Sequence, residues 1–264
     1  TSIGAGFHSD FYLDHDNNGY RYLFREKDKE TGECKAVFSK NGKGDITKFL
    51  DDYLDELKAI KGKGYISFIT CNHDTPRMTK MFSPLEAKLA YSFVFLMPGV
   101  PFLYYGDEIG MKFMEGLQSK EGGFSRTGTR TPMQWDDSAN HGFSTASADK
   151  LYLPVDTSAD APTVSAQEKD EDSILNTIRK VIKLRHENED LQSDGDFEVV
   201  YAESGKYPFI FKRGKFVIAV NPTDKEQKAP CKFDGEQVFA IGKACVENEE
   251  ITMLPQSLVV IKVD

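Results

Sequence analysis

Residues 65–77 read YISFITCNHDTPR: a β-branched, aromatic run that ends abruptly in Asn72, His73, Asp74 and Arg77. A short continuous apolar run bounded by polar residues fits a strand buried on both faces, as in a parallel sheet. The polar cluster then marks the strand's end, where the chain stops avoiding water.

Working outward, the flanking segments fit that reading. Upstream, GDITKFLDDYLDELKAIKGKG places Asp45 as N-cap, with Ile46, Phe49, Leu50, Tyr53, Leu54 and Leu57 at helical spacing and Gly62 and Gly64 closing the helix. Further upstream, alternation around AGFHSDFYLDH predicts a strand near residues 7–13, followed by a charged loop. Downstream, Ser83 caps a helix that carries Pro84 at its first position and stops at Pro98. VPFLYYG is again strand-like, so the order is strand, helix, strand, helix, strand. From Asp107 to about Glu171 the chain is Gly-rich and aperiodic, a length of loop that implies function. A helix follows with Asp172 or Ser173 as cap and Ile174, Ile178, Val181, Ile182 and Leu184 inward.

Past Asp194 the pattern changes to short strands separated by turns: DFEVVYAE, PFIFKRG, KFVIAVNPT, QVFAIG and SLVVIKV. They predict an antiparallel sandwich of its own. Two domains are expected, 1–193 and 194–264.

The formal net charge of −9, with scattered basic residues, argues against nucleic acid as a partner. Apolar runs fall short of the ~18–20 residues of a membrane helix, so no membrane segment is expected. Cys34, Cys71, Cys231 and Cys245 form no CxxC pair and read as free thiols in a reducing, cytoplasmic setting. The chain opens on Thr1 and shows no signal-peptide pattern, so its N-terminus gives no argument about location.

Three separated stretches carry the function. NHDTPR at 72–77 joins a carboxylate, an imidazole and a guanidinium at a strand end, where parallel α/β folds place ligands. MPGVPFLYYGDEIGM puts Asp107 and Glu108 after the next strand, and RTPMQWD at 130–136 lies in the long loop. In this order they resemble glycoside hydrolase family 13, the α-amylase and α-glucosidase group, and the resemblance extends over essentially the whole chain. RTPMQWD is similar to the α-glucosidase and oligosaccharide-cleaving branch.

The resemblance implies a (β/α)8 barrel followed by an antiparallel C-terminal domain, with this chain supplying about strands six to eight. It implies that Asp74 is the third catalytic carboxylate, which orients the sugar and stabilises the oxocarbenium-like transition state. It also implies that His73 binds hydroxyls of the same ring and that Arg77 lines the site. Asn72 belongs to the same substrate-binding motif. Trp135 is either a sugar-stacking platform or a loop anchor, and Arg130, with Arg126, either reaches the sugar rim or bridges loops.

Retaining glycosidases need two carboxyl groups about 5–5.5 Å apart. In this family the nucleophile lies in a GFRxD-like motif and the acid is a Glu ending strand five, and neither motif is found here. A complete barrel takes roughly 250 residues, while about 190 precede the predicted sandwich. The chain therefore reads as the C-terminal part of a family member, inactive alone. Three parallel strands cut from a barrel leave an open edge, to be covered by the missing N-terminal part of the barrel or by self-association. The expected ligand is an α-glucan or oligosaccharide, for hydrolysis or glucosyl transfer. A non-catalytic carbohydrate-binding or scaffold role is the alternative.

No cofactor and no metal is expected. DHDNNGY at 14–20 starts like a calcium loop, with Asp14, Asp16, Asn18 and Gly19 in place, but Arg25 stands where a bidentate Glu is required. Asp107 and Glu108, adjacent in sequence, point in different directions and read as rim residues holding loops. His141 and His186 lack partners at metal spacing and read as surface residues.

Overall fold

The computed structural model describes residues 6–12, 19–119 and 126–264. The strand β1 (Ser9–Tyr12) pairs in parallel with β2 (Tyr65–Phe68), in register from Ser9 opposite Tyr65 to Tyr12 opposite Phe68. Between them run α1 (Tyr20–Phe24), a short helix absent from the sequence reading, and α2 (Ile46–Ile60). The Asp45 side chain caps α2 by accepting from Thr47 N.

The third parallel segment is thinner than expected. VPFLYYG forms no regular strand; Phe102 makes a single parallel bridge to Ile69. Val100 N donates to Ile66 O and Phe102 N to Phe68 O, but Pro101 between them has no N–H to give. The preceding turn is also tight. Gly99 has φ +88°, and a Cβ there would stand 2.0 Å from Ile66 O, so only glycine brings the chain this close.

Next to β2 in the sequence, α3 (Pro84–Leu96) begins with a reciprocal cap. Ser83 Oγ accepts from Glu86 N, and Glu86 Oε2 accepts from Ser83 N at 2.7 Å. Glu86 Oε1 also accepts from Lys40 N at 2.7 Å, so one carboxylate ties the helix start to a distant loop. Ser83→Ala is expected to lower stability by about 1 kcal/mol, read as a shift of the urea midpoint at unchanged slope.

The region from Asp107 to Glu171 is more structured than its sequence suggests. It holds 3-10 turns at Asp107–Ile109, Thr127–Thr129, Ala139–Gly142 and Ala148–Lys150, then α4 (Val164–Glu168), and α5 (Ile174–Glu187) follows it. Ser173 caps α5 by accepting from Asn176 N at 3.1 Å. Ile174, Leu175, Ile178 and Val181 are buried, while Ile182 and Leu184 are only half-buried.

The C-terminal strands form two antiparallel sheets. β3 (Glu198–Tyr201), β4 (Phe209–Arg213), β5 (Phe216–Asn221), β7 (Glu236–Ile241) and β10 (Ser257–Lys262) make five strands in the order β3-β4-β5-β10-β7. β6 (Gln227–Pro230), β8 (Ala244–Glu247) and β9 (Glu250–Met253) make three, ordered β6-β9-β8. Alternation along β4, β5 and β10 splits their side chains between two cores. Ile210, Val217, Ala219, Val259 and Ile261 pack with Ala229, Cys231, Ile251 and Met253 of the smaller sheet. Phe209, Phe211, Ile218, Val220, Leu258 and Val260 join the core containing α2 and α3.

Two buried arginines bind the end of α3, Arg213 from across this seam and Arg185 from α5 on the same side of it. Arg213, fully buried on β4, donates to Leu96 O, Gln192 O and Asp196 O, each at 2.6 Å. Arg185 on α5 donates to Phe95 O and Met97 O at 2.7 Å and Gly99 O at 2.6 Å. Each takes up carbonyls at or beyond the end of α3 that no later turn of helix satisfies. No helix among the described residues is long and apolar enough to cross a membrane. The parallel layer is half bare: Phe11 is 52% and Phe102 46% exposed, their rings 5.0 Å apart.

Candidate active site

Beyond β2 the chain passes through buried Ile69, Thr70 and Cys71 and then turns outward. Asn72 makes the turn. Its Oδ1 accepts from Asp74 N at 2.8 Å and Thr75 N at 2.9 Å, while its own N donates to Thr75 Oγ1 at 3.0 Å. His73 and Asp74 are thereby thrown into solvent at the strand's end. Asn72, named with the substrate-binding residues, has its carbonyl oxygen engaged in holding this loop.

Asp74 is met from the long loop by two arginines. Arg126 Nη1 lies 2.5 Å and Arg130 Nη2 3.1 Å from its Oδ1, and His73 Nε2 lies 3.2 Å from its Oδ2. Arg130 Nε also donates to His73 O at 2.9 Å. Arg130 thus bridges the two loops while reaching the rim.

Partial removal from water pushes the Asp74 carboxyl up, but Arg126, His73 and Arg130 together outweigh it and hold the group below the usual carboxylate range. The folded pKa lies below the unfolded one. Its contribution to holding the loops together is therefore complete above the unfolded value, about pH 3.9, and is lost as pH falls through the lowered folded value. Trp135 is the chain's single tryptophan, five residues past Arg130. Its emission is expected to stay constant down to about pH 4 and change below it; a flat acid titration would show the arginine contacts do not order the loop.

Arg77 is not at the rim. It is fully buried, against the expectation that it lines the site, and its guanidinium faces inward to Asp107 Oδ1 at 2.8 Å, Tyr105 O at 2.7 Å and Thr129 O at 3.1 Å. Asp107 is equally buried and also accepts from Thr70 Oγ1 at 2.5 Å and Cys71 Sγ at 3.2 Å. Burial pushes the Asp107 carboxyl up, with Arg77 the strongest influence pulling it down. Burial likewise pushes the Cys71 thiol far up, so this cysteine beside the site is an unreactive thiol. An Arg three residues after an exposed Asp reads as a rim residue in sequence. Only the fold shows that it turns under the strand end.

Trp135 is half exposed on a fixed backbone, its N donating to His141 O at 2.8 Å and its O accepting from Ser165 N at 2.9 Å. His141 has Nε2 2.6 Å from Asp156 O and Nδ1 3.3 Å from Asp136 O, so it braces the same loop. Among the described residues no group of three His, Cys, Asp or Glu could hold a metal ion. Asp14, Asp16 and Asn18 of the calcium-like stretch lie outside the described residues. Sequence reading missed Thr70, Tyr105 and Thr129, the partners of the buried pair. Ordinary threonines and tyrosines carry no motif.

The Alpha amylase catalytic domain family matches residues 7–194. The alpha-glucosidase of Apis mellifera is 30% identical over 164 residues, covering 57% of this chain and 28% of its own length. The probable oligo-1,6-glucosidase 2 of Bacillus subtilis is 26% identical over 242 residues, 78% of this chain and 41% of its own. Among solved structures, the trehalulose synthase MutB of Pseudomonas mesoacidophila MX-45 superposes with a TM-score of 0.71 at 22% identity, over 83% of this chain and 47% of that one. An isomaltulose synthase mutant from Erwinia rhapontici NX5 gives 0.70 at 18% identity. At such identities the structures establish the fold. The chain spans less than half the length of these relatives. With the family's catalytic domain matched from residue 7 to residue 194, the chain belongs to the alpha-amylase family, glycoside hydrolase family 13.

Proposed function

We propose that these residues form part of the sugar-binding rim of an α-glucoside-processing enzyme, a hydrolase or a glucosyl transferase acting on α-glucans or oligosaccharides. The observation that carries the reading is Asp74, an exposed carboxylate at the end of a parallel strand, set among Arg126, Arg130 and His73. A carboxylate kept ionised at such a rim stabilises positive charge developing on a sugar ring. His73 supplies a ring nitrogen for sugar hydroxyls, and Trp135, in the same long loop as Arg130, an exposed aromatic face. Arg77 has no part in contacting sugar. Hydrolysis and transfer differ only in whether water or a sugar hydroxyl receives the glucosyl group, and Asp74 serves both.

Asp74 in this role is a helper outside the catalytic pair, and a retaining mechanism needs two further carboxyl groups about 5–5.5 Å apart. The sequence holds no GFRxD-like motif, so on this reading nucleophile and general acid come from outside these 264 residues. The pure chain is expected to leave p-nitrophenyl α-glucoside unhydrolysed, and measurable turnover would overturn that. Calorimetry with maltose and isomaltose tests the rim itself; weak binding abolished by Asp74→Ala is expected.

The same incompleteness favours a second reading, a carbohydrate-binding or scaffold protein of this family. The two separate on the upstream reading frame: a GFRxD motif and a Glu ending strand five support the enzyme, and the lack of both supports binding alone.

The bare face at Phe11 and Phe102 points to a partner, either the rest of the barrel or a second copy. Sedimentation of the isolated chain is expected to show association. A strict monomer would assign the face to the rest of the barrel.

A further inference from the structure

We propose that the buried Arg77–Asp107 ion pair is a positioning device, docking the loop that bears Arg126 and Arg130 onto the loop that bears Asp74. The proposal deepens, and rests on, the assignment of Asp74 to the sugar-binding rim. The two loops are distant in sequence, and beneath the arginine contacts to Asp74 they are joined through Thr129. Arg77 Nη2 donates to Thr129 O at 3.1 Å, and Thr129 Oγ1 donates back to Thr75 O at 3.1 Å. Thr129 is completely buried, closing a 3-10 turn, Thr127–Thr129, that has Arg126 immediately before it and Arg130 immediately after. Whatever places Thr129 therefore places both arginines that meet Asp74.

Arg77 is itself aimed by Asp107, whose other oxygen is anchored on Thr70 and Cys71 at the end of the strand leading to Asp74. One buried carboxylate thus references the strand end, and one guanidinium carries that reference to the neighbouring loop. The fork of a guanidinium allows this: one terminal nitrogen serves Asp107 and Tyr105 O while the other serves Thr129 O. Lysine keeps the charge but lacks the fixed second arm. Buried ion pairs are poor stabilisers compared with apolar residues of equal volume, so orientation is the better account of this one.

The test reads the Asp74 carboxyl directly, by 13C NMR titration of the 264-residue chain and of Asp107→Asn, Arg77→Lys and Thr129→Val. The groups facing Asp74 are Arg126, Arg130 and His73. In the unmodified chain Asp74 is expected to titrate below the ordinary aspartate value of about 3.9, and in folded Asp107→Asn and Arg77→Lys to rise to it. Thr129→Val, isosteric and without the hydroxyl, is expected to move it the same way by less. Near-UV circular dichroism identifies the folded variants; if Asp107→Asn does not fold, the other two decide. Phe93→Ala, which weakens the core away from both loops, is expected to leave Asp74 unchanged. An Asp74 titration unmoved in folded Arg77→Lys and Thr129→Val overturns the proposal, as does an equal shift in Phe93→Ala. No sugar is present, so absence of sugar binding in calorimetry and absence of a titration shift are separate failures.

Discussion

Arg77→Met is expected to destabilise the chain by about 3–5 kcal/mol, the range for breaking a buried ion pair from one side. Both partners are completely buried. Methionine keeps much of the side-chain volume but leaves Asp107 with only the Thr70 hydroxyl and the Cys71 thiol, and leaves Tyr105 O and Thr129 O without the donor they share. The penalty has a pH dependence of definite sign. With Arg77 gone, burial dominates Asp107 and its folded pKa stands further above the unfolded value, so the variant is least impaired below about pH 4. The penalty grows as pH rises through the raised folded value, because the unfolded chain then ionises where the folded one resists. Urea unfolding at several pH values measures both effects. Arg77→Met combined with Asp107→Leu is expected to recover much of the loss, since no unpaired charge remains buried. A single variant within 1 kcal/mol of the unmodified chain would mean that water reaches Asp107.

What the sequence disclosed follows from how each feature is encoded. The caps at Asp45, Ser83 and Ser173 and the apolar faces of α2 and α5 are local signals, and the helices stand where those signals put them. The five apolar C-terminal runs correspond to β3, β4, β5, β7 and β10, which together form the larger sheet. All three strands of the smaller sheet escaped notice. β6 reads QKAP and β8 reads ACVE, each four residues long with small or charged side chains, because only one face of that sheet is covered. At the site, His73, Asp74 and Arg130 come together as their motifs suggest, since a strand end and a long loop are legible features. Arg77 and Asp107 were misplaced for a different reason. Charged residues near a strand end are ordinarily solvated, and burying both depends on a pairing across 30 positions that no local pattern announces.

Phe93→Ala is expected to cost about 3–5 kcal/mol and to weaken the parallel layer and the C-terminal sheets together. From Leu89 to Gly99 every residue is buried, so α3 has no solvent face over its second half. Phe93 stands at the centre of that stretch. Its ring lies 5.1 Å from Phe38 and 6.4 Å from Phe49 on one side, and 5.9 Å from both Phe209 and Phe211 of β4 on the other. Truncation opens a cavity on the seam itself. Sequence reading suggests two domains, 1–193 and 194–264; the shared aromatic core and the bond from Arg213 to Leu96 O across the seam lead us to expect one cooperative transition. Methyl resonances of Ile66 in β2 and Val260 in β10 report the two sides. Both are expected to disappear at one denaturant concentration, which Phe93→Ala lowers equally for each. If Val260 instead outlasts Ile66 in the variant, the C-terminal sheets hold a core independent of α3, and the seam is an interface between two folding units rather than the middle of one.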